Sequence, residues 1–286
     1  SYNFIMKSCS VRCDLHLHTN VSDGDFSVDY VVGREKSLGL DVISVTDHDT
    51  VDGVARAVEL GSSLGMVVVP GVELSTMDDR EVHMLGYNVD YTDKKFIGEL
   101  KDLREMRRKR NAMMLEKLKE FGIDVSEADM LAVACGTTVG RAHIAKAMVK
   151  KGYCQSMNQA FDEYLGFGKK AYVKEKRISP EEGIALILRY GGTPVLAHPY
   201  SLEMDDETAD VFVGRLAAAG LRGIESEYFS HTISDKEKYG RLADKYRLIR
   251  TGGSDFHRET PDAQRQKFAC FDSACLTELK IDAEKI

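Results

Sequence analysis

Two histidines one residue apart, His16 and His18 in "CDLHLHT", interrupt an apolar run, and later runs in the chain repeat the habit. "VTDHDT" sets His48 between Asp47 and Asp49, "PGVE" ends at Glu73, "HMLGY" begins at His83, "LAHP" carries His198, and "GGSDFH" carries Asp255 and His257. Asp23 follows the first run in a Ser-Asp-Gly turn. Six of the eight histidines therefore stand at or beside the ends of strand-like runs, and only His143 and His231 do not. Imidazoles and carboxylates gathered with no cysteine beside them suit a catalytic Zn²⁺, Mn²⁺ or Fe²⁺ centre rather than a structural zinc knot. Residues i and i+2 of a strand share a face, so His16 and His18 can converge on one ion. Asp255 and His257 can do the same if their strand stays extended. A lone buried histidine is commonly a hydrogen-bonded core residue, and "TDHDT" alone could be a turn. Six histidines and three carboxylates spread over strand ends are not explained that way.

The elements that must position these groups read as alternating strands and helices. "VRCDLHL", "DVISVT", "MVVVPGVEL" and "VHMLGYNV" have the Val, Ile and Leu content of buried strands. "SVDYVVGREKSLGL" and "TVDGVARAVELGSSLG" between them have helical spacing and glycine stops, which predicts parallel β/α units. From Asp93 the texture changes to one long helix, with Phe96, Leu100, Leu103, Met106, Met114, Leu118 and Phe121 near helical spacing. Polar, helical sequence continues to about Tyr172. A capped helix with Pro180 in its first turn then feeds the strand "TPVLAH", and strands return in "LRGIES" and "YRLIRTGG". The expected organisation is an α/β core over residues 7–92 and 176–286, interrupted at 93–175 by a helical insertion that caps the substrate. In a β/α barrel the carboxyl ends of the strands meet at one mouth, where catalytic groups assemble.

Composition narrows the function classes. A net charge of −7 over 286 residues argues against a protein devoted to gripping long nucleic acid. It leaves room for a small phosphorylated substrate drawn in by metal ions. No run of about 18 apolar residues occurs, so no membrane partner is expected. "SYNFIMKSCS" lacks the pattern of a secretory signal, and Met6 is a candidate start. The cysteines, Cys9, Cys13, Cys135, Cys154, Cys270 and Cys275, show no C-x-x-C pairing and read as free thiols of a cytoplasmic protein.

In order, "DLHLHTNVSDG", "VTDHDTVDG", "PGVELS", "HMLGY", "VLAHP" and "GSDFH" resemble the signature motifs of the PHP (polymerase and histidinol phosphatase) phosphoesterases. The resemblance implies a distorted seven-stranded (β/α)7 barrel with three divalent metal ions (Mn, Fe or Zn) at its mouth. It implies one ion on His16, His18, Glu73 and Asp255, a second on Glu73, His83 and His198, and a third on Asp23, His48 and His257. Some members have histidine where this chain has Asp23, and either residue can ligate. "GRAHIA" in the insertion resembles the branch whose phosphatases act on nucleoside monophosphates and 3′,5′-bisphosphates, some of which also trim short RNA or DNA. There the stretch usually reads Arg-Pro-His, where this chain has Ala142. After "GIE" relatives often read Val-Tyr-Tyr, where this chain has Ser226, Glu227 and Tyr228.

The expected reaction is hydrolysis of a nucleotide phosphate monoester by a metal-bridging hydroxide, with no side-chain nucleophile. Asp255, His257 and His231 are the residues expected to act in catalysis. Arg141 is the candidate phosphate clamp, since a guanidinium binds phosphate oxygens bidentately. His231 is a candidate for phosphate contact or for protonating the leaving group; a hydrogen bond within its own turn is the competing account. His143 could face the substrate, but on a helix it is expected to pack. The run Arg104, Arg107, Arg108, Lys109 and Arg110 reads as a solvated helix face, and no aromatic interleaves it as a strand-binding platform would require. Asp47 and Asp49 either orient ligand histidines or cap turns. Histidinol-phosphate hydrolysis and 5′→3′ exonucleolysis are rival reactions. A catalytically silent accessory module would predict missing ligands, and an amidohydrolase a bridging lysine that no feature identifies.

Overall fold

The computed structural model describes residues 11–134, 139–174, 177–259, 269–270 and 273–281. Cys9, Cys135, Met6 and the side chain of Cys270 lie outside the described residues; Cys13, Cys154 and Cys275 are buried free thiols. The chain opens with β1 (Arg12–Leu17), α1 (Val28–Ser37), β2 (Val42–Val45), α2 (Val54–Ser63), β3 (Val67–Val68), β4 (Gly71–Met77) and β5 (Glu81–Tyr87). Four helices follow, α3 (Lys94–Glu120), α4 (Glu127–Leu131), α5 (Arg141–Lys150) and α6 (Met157–Ala160), the last running into a π-turn at Phe161–Leu165. The chain then returns to alternation with α7 (Pro180–Arg189), β6 (Thr193–Leu196), α8 (Asp206–Ala218), β7 (Gly223–Glu225), α9 (Ile233–Tyr246) and β8 (Ile249–Thr251). The final described elements are β9 (Ala269–Cys270) and α10 (Ser273–Glu278).

The strands form two sheets, β3-β2-β1-β9 and β4-β5-β6-β7-β8. A continuous barrel ladder is not present among the described residues. Single bridges, Leu17 with Phe256 and His48 with Glu73, stand at the two seams between the sheets. The expectation of parallel β/α units also needs correcting at β5, which runs antiparallel to both β4 and β6. Pro70 explains why "MVVVPGVEL" is two strands. Proline has no N–H to donate to a ladder, so the chain pairs with β2 before it and with β5 after it. The reversal matters for chemistry: an antiparallel strand brings its beginning, and so His83, to the end where parallel strands bring their carboxyl termini.

Helix starts follow local chemistry. Ser179 and Glu182 form a reciprocal capping box ahead of Pro180, and the Asp93 side chain accepts from the N–H groups of Lys95 and Phe96 to start α3. α3 serves two apolar clusters. Phe96, Leu100 and Leu103 pack with Val72, Leu74, Met84 and Ile187. Farther along, Met114, Leu115 and Leu118 pack with Ile123, Met130, Ile144, Met148 and Leu165. Each such aliphatic side chain contributes roughly 1.5–3 kcal/mol on burial, so the helix ties the four-helix segment to the sheets. Phe121, at the end of the apolar spacing, is 46% exposed. Only part of the arginine run is the solvated face expected of it: Arg108 and Lys109 are exposed. Arg107 and Arg110 are buried. Arg107 donates to the Asp49 carboxylate at 2.7 Å and to Ser75, and Arg104 donates to the Asp49 carbonyl at 2.6 Å. Arg104 and Arg107 face the backbone beside His48 because the helix crosses there.

Candidate metal centre

Nine side chains from distant parts of the chain meet in one cluster, with Glu73 at its centre. His16, in β1, and His18, one residue past its end, bring their Nε2 atoms within 3.1 Å of each other. Glu73 Oε2 lies 3.3 Å from His16 Nε2 and 3.1 Å from His18 Nε2, and Asp255 Oδ1 lies 3.3 and 3.2 Å from the same atoms. The other Glu73 oxygen, Oε1, is 3.0 Å from His83 Nδ1 and 3.1 Å from His198 Nε2. Asp23 Oδ1 is 3.3 Å from His257 Nε2, and Asp23 Oδ2 is 3.8 Å from His48 Nε2. Three groups have donor atoms clustered tightly enough to hold an ion: His16, His18, Glu73 and Asp255; His48, Glu73 and His83; and Asp23, His18, His48 and His257. His18 and His48 thus each border two groups, where the resemblance implied one group for each. His48 turns Nδ1 to Glu73, at 3.1 Å, and Nε2 to Asp23.

The backbone is bent to make this meeting. Asp255 does not sit in an extended strand beside His257, because β8 ends at Thr251. Its φ of +53° is left-handed, its N–H donates to the His16 carbonyl at 2.9 Å, and His18 N–H donates to the Phe256 carbonyl at 2.9 Å. His198 and Asp49 also have positive φ, +24° and +53°. Such conformations cost roughly 1–3 kcal/mol each for residues other than glycine, and here three of them flank one cluster.

Behind the nine stand residues with supporting bonds. Glu225, fully buried at the end of β7, sits with Oε1 3.1 Å from His16 Nδ1 and accepts from the His198 N–H at 2.7 Å. Tyr228 donates its hydroxyl to Asp255 Oδ2 at 2.8 Å. Of the three residues after "GIE", Ser226 and Glu227 depart from Val-Tyr-Tyr, whereas Tyr228 keeps the final tyrosine and is the one bonded to a residue of the cluster. Ser226 offers its carbonyl to His231 and Glu227 pairs with Lys236. Asp47 settles as a brace: it accepts from the Thr19 N–H, the Thr19 hydroxyl and the Ser22 hydroxyl at 2.8, 2.7 and 2.6 Å. Those bonds hold the loop that carries Asp23. Asp49 accepts from the Ser75 N–H at 2.9 Å, fixing β4 next to Glu73.

The electrostatics fit cations. Burial would raise the Glu73 carboxyl, but His48, His83 and His16 outweigh it and hold the group well below the usual carboxylate range. Burial would lower His18 and His83, yet Asp255 and Glu73 raise the first to about 10, and Glu73 and Glu81 raise the second to about 9. His48 is lowered to about 3, mainly by burial. His18 Nδ1, His48 Nδ1 and Glu73 Oε2 are buried without a hydrogen bond. Leaving such atoms unpaired costs on the order of 1–3 kcal/mol each. Buried donor atoms left without a partner inside such a cluster are what divalent ions can satisfy, and an all-nitrogen-and-oxygen set suits Mn²⁺, Fe²⁺ or Zn²⁺.

A cavity of about 500 Å³ opens beside this cluster, lined by His83, His198, Glu81, Arg141, Phe167 and Tyr172 among others. Arg141, the first residue of α5, donates to the Glu81 carboxylate, which Arg177 also holds. His143 accepts from the Gly140 N–H through Nδ1 and closes the start of the same helix. His231 is not among the residues lining this cavity. Its Nδ1 lies 3.0 Å from the Ser226 carbonyl, and its ring packs on Tyr200, Tyr228 and Tyr239. Glu225 and Tyr228 are the supporting residues that sequence reasoning did not single out. A glutamate ending "GIE" carried a signal only through its place at a strand end.

Among the described residues no helix is long and apolar enough to cross a membrane. Residues 14–175 match the family model described as the PHP domain. A 5′-3′ exoribonuclease of Haemophilus influenzae is 33% identical over 247 residues, covering 86% of this chain and 90% of that protein. A 3′,5′-nucleoside bisphosphate phosphatase of Chromobacterium violaceum is 32% identical over 253 residues, covering 85% and 86%. A solved structure of an amidohydrolase from C. violaceum, with sulfate bound and no metal, superposes with a TM-score of 0.84 at 29% identity over 94% of this chain and 96% of that one. With these matches standing on the clustered donors around Glu73, the chain belongs to the PHP-domain family and is a metal-dependent phosphoesterase, a hydrolase.

Proposed function

We propose that the chain hydrolyses the phosphate monoester of a nucleotide, a nucleoside monophosphate or 3′,5′-bisphosphate, at the cluster centred on Glu73. The observation that carries this reading is the cavity of about 500 Å³ with His83 and His198 in one wall and Arg141, Phe167 and Tyr172 in the rest. A nucleotide fits a space of that size, and ligand pockets span roughly 300–1,000 Å³. We assign the ions to His16, His18, Glu73 and Asp255, to Glu73, His83 and His198, and to Asp23, His48 and His257, with His18 and His48 at the boundaries. Divalent ions there would bring a bound water's pKa toward neutrality and offset charge on phosphoryl oxygens.

The chain's own residues do the rest. Glu225 orients His16, Tyr228 orients Asp255, and Asp47 steadies the loop of Asp23. Arg141, held by Glu81 at the cavity wall, is placed to exchange that carboxylate for a phosphate. The segment 93–175 supplies Arg141 from α5 and Phe167 and Tyr172 from the turns after α6, and thereby caps the substrate. The two sheets are read as opposite walls of a seven-stranded barrel whose seams are the Leu17–Phe256 and His48–Glu73 bridges.

The exonuclease reading is favoured by the H. influenzae relative. Against it stands the neighbouring hollow, which shares Arg80 and Glu203 with the cavity and is walled by Asp78, Asp79 and Asp205. A polyanion leaving on that side meets carboxylates. The test is phosphate release from the Mn²⁺-loaded protein offered AMP, adenosine 3′,5′-bisphosphate, histidinol phosphate and a 5′-phosphorylated oligonucleotide. Faster turnover of the two mononucleotides is expected. Preference for histidinol phosphate or the oligonucleotide would overturn the assignment.

A further inference from the structure

We infer that Phe167, with Tyr172 behind it, is a stacking platform for the nucleobase of the substrate. The placement rests on the nucleotide reading above and specifies which part of the cavity holds the base. Phe167 is 60% exposed, yet it lines the same cavity as His83 and His198. Its ring meets the Tyr172 ring at 5.3 Å between centroids, inclined at 60°. An aromatic ring left largely open to water forgoes its burial energy, while its face stays free for another flat ring.

The segment that carries it is pinned. Gly166 N–H donates to the Phe161 carbonyl at 2.8 Å and closes the π-turn, a device common at functional sites. Lys169 N–H donates to the Gly166 carbonyl at 3.1 Å, Ala171 N–H to that of Tyr164 at 2.9 Å, and Tyr172 N–H to that of Lys169 at 3.0 Å. Lys117 of α3 donates to the Tyr172 carbonyl at 2.8 Å. Gly168 has a φ of +70°, a turn that residues with a side chain rarely make. The exposed ring is therefore held in place rather than left on a loose tip.

The cavity also has the polarity of a nucleotide. His83 and His198, at the metal centre, mark where the scissile phosphate must lie. Arg141 offers a cation for a second phosphate, and the Phe167–Tyr172 pair is the aromatic surface in the lining. Stacking tolerates any base, since every base has a π-face. The site is thus expected to discriminate nucleotides from sugar phosphates more sharply than one base from another.

The chain contains no tryptophan, so Phe167→Trp makes a single fluorescent reporter at the platform. In the Mn²⁺-loaded protein, AMP should quench its emission and ribose 5-phosphate should not. In parallel, Phe167→Ala should lower kcat/KM for AMP relative to that for ribose 5-phosphate by roughly tenfold, the scale of losing one stacking partner. An emission indifferent to AMP, or an unchanged ratio in Phe167→Ala, would overturn the platform. Quenching by AMP in a protein that does not hydrolyse AMP would instead overturn the nucleotide phosphatase reading and leave the platform standing.

Discussion

Glu225 and His16 form a buried pair, Oε1 to Nδ1 at 3.1 Å, deep under the candidate metal centre. With Nδ1 donating to the carboxylate, Nε2 is left as a lone-pair donor aimed at Glu73 and Asp255. The other Glu225 oxygen takes the N–H of His198, one of the residues in left-handed backbone. One carboxylate thus holds two histidines of the cluster, by the ring of one and the backbone of the other. Glu225→Gln keeps the shape but has one acceptor oxygen for two donors. We expect metal affinity to fall about 10–100-fold, as is usual when such a partner of a ligating histidine is lost. Titration with Mn²⁺ followed by calorimetry checks it; wild-type affinity would remove Glu225 from the centre.

Metal binding should release protons. Burial alone would lower His18 and His83, but their carboxylate partners raise them to about 10 and about 9. Without ions both imidazoles are therefore charged at neutral pH, and each must lose its proton to ligate. Apparent affinity should rise with pH, by up to roughly a hundredfold per unit below pH 9 if both protons leave. Stability of the metal-free chain runs the other way. A histidine whose folded pKa is raised stabilises fully below its unfolded value, near 6.5, and that contribution disappears as pH climbs through 9 and 10. Calorimetry in buffers of different ionisation enthalpy counts the protons. Zero release at pH 7.5 would contradict the arrangement.

What could be read ahead of the structure was what periodicity and residue type encode. His16 and His18 stand two residues apart at the end of β1, close enough for alternation to bring them together, and Glu73, His83 and His198 drew notice because each stands at or beside an end of an apolar run. The details that failed depend on the chain bending in space. Asp255 reaches His18 through a left-handed turn, not an extended strand, and nothing in "GGSDFH" states which way the backbone turns. The reversal of β5 follows from pairing partners far apart in the chain. Arg107 looked solvated because a charge pattern on a helix does not reveal that an aspartate in left-handed backbone waits beneath it. Glu225 and Tyr228 were hidden because a supporting residue is defined by what it touches.

Gly253 should prove irreplaceable for a steric reason. A Cβ there would lie 2.4 Å from His16 Cβ and 2.6 Å from the His16 nitrogen, so the loop leading to Asp255 crosses directly against β1. Gly253→Ala must push that loop away from His16 and His18. Overpacking of this kind costs roughly 1–3 kcal/mol, and the displaced Asp255 should cost metal as well. Thermal unfolding together with metal content by mass spectrometry tests it. A variant with wild-type metal content would show that the loop can shift without moving Asp255.

Tyr228 offers the sharpest separation of a positioning role from a packing role. Its ring stacks on Tyr200 at 5.4 Å and meets His198 at 5.6 Å, while its hydroxyl donates to Asp255 Oδ2 at 2.8 Å. That bond leaves Oδ1 facing both His16 and His18. Tyr228→Phe keeps the ring contacts and deletes only the donor. A hydrogen bond to a charged group is worth roughly 1.5–3 kcal/mol. If it orients the ligand oxygen, the loss should weaken metal binding about tenfold or more and lower kcat at limiting metal. Saturating Mn²⁺ should restore most of the activity, because the binding groups remain. If Tyr228 only packs, the phenylalanine variant will bind metal like the wild type, and any loss will appear in thermal stability alone.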